Sequence, residues 1–148
     1  MIWFYYLCRK YDKFFSRRHR SMYQMDLESM SDKVKGIELA KACAKAADEM
    51  QAENIQLWDV RGLSSITDFM VICSGSSMPH LRAIMRDVAG YVMEWHDVKP
   101  AMSEGNADSK WVVLDYIDVM VHILHSEMRE YYDLESIWGK AKEVKWKE

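Results

Sequence analysis

Residues 109–124, SKWVVLDYIDVMVHIL, constrain the fold more than any other stretch of this chain. Two apolar runs, 111–114 and 119–124, are rich in β-branched residues and are separated only by Asp115, Tyr116, Ile117 and Asp118. That spacing predicts two antiparallel strands joined by a tight turn. Both faces of the hairpin are apolar, so it belongs at the centre of a sheet with other elements packed on it, not at a solvated edge.

The rest of the chain reads as cover for that sheet. From Lys33 onward, Val34, Ile37, Ala40, Ala44 and Ala47 recur at helical spacing, with Glu38, Lys41, Lys45 and Asp48 on another face. This is an amphipathic helix, and Ser31 or Asp32 is placed to cap its start. Residues 54–60 read as extended, with Ile55 and Leu57 on one side and Trp58 and Val60 on the other. FMVIC at 69–73 reads as a second central strand. Ser74-Gly75-Ser76-Ser77 then opens a second helix with Pro79 in its first turn, and Leu81, Ile84, Met85, Val88, Val92 and Trp95 form its apolar stripe to about His96. Residues 99–110 form a polar connection. After the hairpin, Ser126 is placed to cap a short helix, residues 131–138 supply an apolar face from Tyr131, Leu134, Ile137 and Trp138, and the charged residues 140–148 fray. The expected fold is α+β: a mixed sheet of four to five strands with flanking helices, forming a single domain over 31–148.

Residues 1–30 read differently. An aromatic start precedes a basic run at Arg17, Arg18, His19 and Arg20, without helical or strand period. The order is wrong for a secretory signal, and the apolar run is too short to span a bilayer. An organelle-directing peptide and an upstream start codon both account for this non-domain extension. Its first 20 residues carry a charge of +5 within a chain of net −3, so the remainder is acidic, at −8. An acidic domain favours a basic protein surface over bare nucleic acid, DNA included, as partner. Three scattered cysteines make neither a disulfide framework nor a zinc ribbon.

Several residues invite chemistry. The loop Ser74-Gly75-Ser76 between strand and helix has the layout of an anion or nucleotide site, and equally of an ordinary helix cap. Asp115 and Asp118 form a carboxylate pair across the turn, where Asp also serves to satisfy backbone N–H groups. His122 and His125 lie three apart on a strand and point to opposite faces, which argues against a shared metal ion. Trp111, beside the loop carrying Glu104, suits either core anchoring or partner contact, and Arg129 with Tyr131 and Tyr132 suits either the edge of the core or a binding surface.

Four stretches, TDFMVICSGSS at 67–77, SEG at 103–105, WVVLDYIDVMVHIL at 111–124 and SEMREYYDLESIW at 126–138, give the chain a resemblance. In order and spacing it resembles the ribosomal silencing factor, or Iojap-like, family over residues 33–141. One departure is Ile117 where the family would carry Gly, and a β-branched residue there points to another turn type. The resemblance implies a nucleotidyltransferase-like fold without its catalytic carboxylates, and no Asp-x-Asp occurs in the chain. It implies no enzyme activity, no cofactor and no metal. It implies instead a cytoplasmic translational repressor that binds a basic protein of the large ribosomal subunit at the subunit-joining face and blocks association with the small subunit. Position and resemblance together give Glu104, Trp111, Asp115, Tyr116, Asp118, His122, Arg129 and Tyr132 as expected partner contacts. Self-association through the hairpin or C-terminal segment is a further expectation, and a nucleotide-binding or nucleotidyltransferase-like enzyme is the alternative function.

Overall fold

A computed structural model describes residues 36–147. Ser31, Asp32, Val34 and the whole N-terminal extension lie outside the described residues. In chain order the elements are helix α1 (Ile37–Glu49), strands β1 (Glu53–Asp59) and β2 (Phe69–Gly75), and helix α2 (Met78–His96). There follow β3 (Met102–Asn106), a 3-10 turn (Ala107–Ser109), β4 (Trp111–Asp115), β5 (Val119–His125), two short helices, α3 (Ser126–Tyr132) and α4 (Leu134–Ile137), and β6 (Lys142–Glu143). The fold is α+β, and its mixed sheet has six strands in the order β3-β4-β5-β2-β1-β6. Of the five pairings only β2 with β5 is parallel.

The hairpin of β4 and β5 sits next to the centre of the sheet, as its two apolar faces require. On one face, Val112, Leu114, Val119, Val121, Ile123, Phe69, Val71, Cys73 and Leu57 pack under α1 and α2. Helix α1 contributes Ala40, Ala44 and Ala47, all fully buried, and these short side chains let its backbone lie close to the strands. Helix α2 contributes Leu81, Ile84, Val88 and Val92. Ser77 caps it by accepting the His80 N–H, with Pro79 in the first turn. Trp95, expected on the apolar stripe, lies instead at the helix end with 67% of its surface exposed.

Six strands replace the expected four to five, because two polar segments join the sheet. Residues 99–110 hold the edge strand β3 and a turn closed by a reciprocal cap between Asn106 and Ser109. Edge strands keep one side in water, so β3 carries no β-branched run to announce it. Gly105 is obligatory there: its φ is +78°, and a Cβ would stand 2.1 Å from the Trp111 carbonyl oxygen. At the other edge β6 pairs with β1, the Val144 N–H donates to Leu57 O at 2.7 Å, and Trp146 packs against the core. The expectation that residues 140–148 fray is thereby corrected for the described part of that segment.

Three further expectations change. Ile117 does adopt a positive φ, 76°, in a two-residue loop where the Tyr116 N–H donates to Val119 O and the Asp118 N–H donates to Tyr116 O. The i to i+2 bond at positive φ is a γ-turn contact, a strained arrangement for a β-branched residue. The cap of α3 is His125, whose Nδ1 accepts the Glu127 N–H, while the Ser126 hydroxyl donates to Gly75 O. Of the apolar face expected over 131–138, Leu134 is buried, whereas Tyr131 is 76% exposed and Ile137 is also exposed.

Candidate docking surface

The strand registers sort the sheet's second face into rows, because directly paired residues share a face. One row runs Met102, Asp115, Met120, Met70, Trp58. The next runs Glu104, Val113, His122, Ile72, Gln56, and the third Asn106, Trp111, Leu124, Ser74, Glu53. Helix α3 lies over the third row and reaches the second. Arg129, itself buried, donates to Ser74 Oγ at 3.1 Å and to Gln56 Oε1 at 2.9 Å, and pairs with Glu135 at 2.6 Å. Tyr132 lies against Trp111 with ring centroids 5.0 Å apart.

Trp111 is 7% exposed, and its indole N–H donates to His122 Nδ1 at 3.2 Å. That bond fixes the tautomer, so the His122 proton sits on Nε2. His122 is 1% exposed, and its Nε2 has no partner among the described residues. A buried N–H without an acceptor costs about 1–3 kcal/mol. Burial also pushes the imidazole down to about 4, so it stays neutral at pH 7. On the same face Asp115 Oδ2 and Trp58 Nε1 likewise lack partners among the described residues. Asp115 uses its other oxygen to accept the Ile117 N–H at 2.7 Å, and burial, then the nearby Glu104, raises its carboxyl above the ordinary value.

The expected contact residues therefore divide. Glu104, Asp118 and Tyr132 are half-buried and reach the surface. Trp111, Asp115, His122 and Arg129 are buried on the second face, where they shape the surface without forming its outer layer. Tyr116 is buried on the opposite face in the helix-side core, close to Cys43. The structure does not bring it to the others. Asp115 serves the turn backbone, and the Asp118 carbonyl accepts the Asp68 and Phe69 N–H groups, which ties the turn to the start of β2. His125 stands away from His122, at the cap of α3. Tyr131, which the sequence places on an apolar face and leaves open between the core's edge and a binding surface, edges onto Tyr132 at 5.0 Å and is the most exposed member of the aromatic set. The adjacent pair Tyr131-Tyr132 could have signalled this, since neighbours on a short helix face different ways.

The loop after β2 is closed by its own chain. Ser76 N–H donates to His80 Nδ1 at 3.2 Å, His80 Nε2 lies 2.8 Å from Met50 O, and Ser77 accepts the His80 N–H. Gly75 is explained by packing, because a Cβ there would meet Leu81 Cδ2 at 3.0 Å and Ile84 Cδ1 at 3.3 Å. Its lack of a side chain seats α2 on the sheet. Among the described residues, no group of three or more His, Cys, Asp or Glu is placed to hold a metal ion, and no helix is long and apolar enough to cross a membrane.

The geometry is that of an α+β domain, with one sheet face given to a helical core and the other bearing the Trp111, Tyr132 and Tyr131 rings with Glu104 on the adjoining strand. The sequence profile of "Ribosomal silencing factor during starvation" matches residues 33–148, and the chain belongs to that family. The ribosomal silencing factor RsfS of Bacillus subtilis is 36% identical over 103 residues, which cover 70% of this chain and 86% of that protein. The one from Halalkalibacterium halodurans is 35% identical over 107 residues, 72% of this chain and 91% of that one. A crystal structure of a Chromobacterium violaceum protein superposes with a TM-score of 0.68 at 29% identity, covering 72% of this chain and 88% of that one.

Proposed function

We propose that this protein is a cytoplasmic translational repressor that docks on a basic ribosomal protein of the large subunit, at the face that meets the small subunit, and prevents joining by steric exclusion. Family membership supports the link to ribosome silencing. The observation that carries the choice of partner is the edge itself, where Tyr131 and Tyr132 reach solvent beside Trp111 and Glu104 stands on the neighbouring strand, in a domain whose net charge over residues 31–148 is −6. Tyrosines supply contact area at low entropic cost, while carboxylates steer a Lys/Arg-rich surface into register. No bond is made or broken in this mechanism. The test is sedimentation of purified small and large subunits with increasing amounts of the protein. Joined particles are expected to fall as the protein rises, and unchanged joining at saturation would refute the proposal.

A further inference from the structure

We infer that His122 is the positioning residue of the docking edge: by accepting the Trp111 indole N–H, it fixes the ring against which Tyr132, and Tyr131 beyond it, are presented to the ribosomal protein. The inference rests on the docking reading above. His122 stands in the middle of β5, flanked across the sheet by Val113 and Ile72. For stability alone an imidazole is a poor choice there. One nitrogen gains a bond from Trp111, while the other has left water and found no partner among the described residues. A leucine would remove the orphaned Nε2–H, at the cost of leaving the Trp111 N–H without its acceptor. What the imidazole supplies, and an aliphatic side chain cannot, is a lone pair aimed at the indole.

That lone pair acts at one end of a chain of ring contacts. His122 and Trp111 have centroids 5.8 Å apart, Trp111 and Tyr132 5.0 Å, and Tyr132 and Tyr131 5.0 Å in an edge-on arrangement. The chain runs from a fully buried strand residue to a side chain in solvent, so the orientation set at His122 is handed outward. Aromatic anchors contribute most to binding when they are held in place before the partner arrives.

The test measures the affinity of the full chain for purified large subunits, with the denaturant midpoint followed in parallel, for His122→Leu, His122→Asn, Trp111→Phe and the double variant His122→Leu/Trp111→Phe. His122→Leu is expected to lose about tenfold in affinity, equivalent to about 1.4 kcal/mol, while its midpoint stays level, since one orphaned N–H replaces another. His122→Asn places Oδ1 where Nδ1 stood and should recover most of the affinity. The double variant should bind no more weakly than Trp111→Phe alone, since either change removes the same bond. A purely structural histidine would move the midpoint and would not give this rescue. Natural affinity in His122→Leu, or additive losses in the double variant, would overturn the inference while leaving the docking reading intact. Failure of the natural chain to bind would overturn the docking reading first. Should His122→Leu not fold, Trp111→Phe keeps an aromatic ring at the position but loses the indole N–H with its five-membered ring, and natural affinity in that variant is equally fatal.

Discussion

At the scale of single residues, the most informative positions are those where local preference loses to context. His122 has a consequence in pH. Its folded form stays neutral down to about 4, whereas the unfolded chain takes up a proton below about 6.5. Stability from this residue is therefore complete above pH 6.5 and falls as pH drops towards 4, by on the order of 3 kcal/mol. Asp115 works in the opposite sense, because its raised carboxyl holds a proton that the unfolded chain gives up as pH rises. Melting curves of the natural chain and His122→Leu between pH 7 and 4 separate the two, and the variant should lose the acid-side decline. Parallel curves would mean that another group carries it. Gly105→Ala should cost several kcal/mol in denaturant midpoint, since the strain of φ +78° adds to a backbone collision that no rotamer relieves. The sequence made Glu104-Gly105 visible as a motif but not the reason for it: the glycine serves the turn, and a 2.1 Å approach to a carbonyl leaves no trace in periodicity.

At the scale of elements, the apolar ones were legible and the polar ones were not. β2, β4, β5 and α2 announce themselves by unbroken or periodic apolar residues, because both their faces or one whole stripe are buried. β3 and β6 hold the sheet's edges with Ser, Glu, Gly, Asn and Lys, and their pairing depends on neighbours distant in sequence. The short helices after the hairpin are seated mainly by one buried cation. Arg129→Ala leaves Ser74, Gln56 and Glu135 without their donor, and its cost should be about 3 kcal/mol, with Glu135 keeping some access to water. Denaturant titration measures that loss, and a shift within experimental error would show that Leu134, the Tyr132–Trp111 contact and the Ser126 bond to Gly75 hold α3 and α4 without it. The loop after β2 carries its own prediction. With Ser76 N–H and His80 N–H already bonded within the chain, nucleoside triphosphate and Mg²⁺ should leave the melting temperature unchanged. A nucleotide present at 100 times its Kd would instead add about 2.7 kcal/mol.

At the scale of the whole molecule, the C-terminal residues belong to the domain. A chain ending at Ala141 loses the β6 pairing, the Val144 bond to Leu57, the Trp146 packing and the Lys147 pair with Asp48. It should unfold at measurably lower denaturant, by about 2–3 kcal/mol, most of that from Trp146. Sequence hid this because a lone Val and Trp among charges do not form a stripe. The single parallel pairing in the sheet sets when the domain can exist at all. β2 has β1 beside it as soon as it is made, but its other neighbour is β5, with Phe69 meeting Val119 and Gly75 meeting His125. Until the ribosome has synthesised residue 125, FMVICSG presents an open, apolar edge to whatever else is nearby, and no local contact can close it. A chain arrested after α2 should therefore aggregate or recruit chaperones, and release of the hairpin from the exit tunnel is the event that commits the nascent protein to its native state.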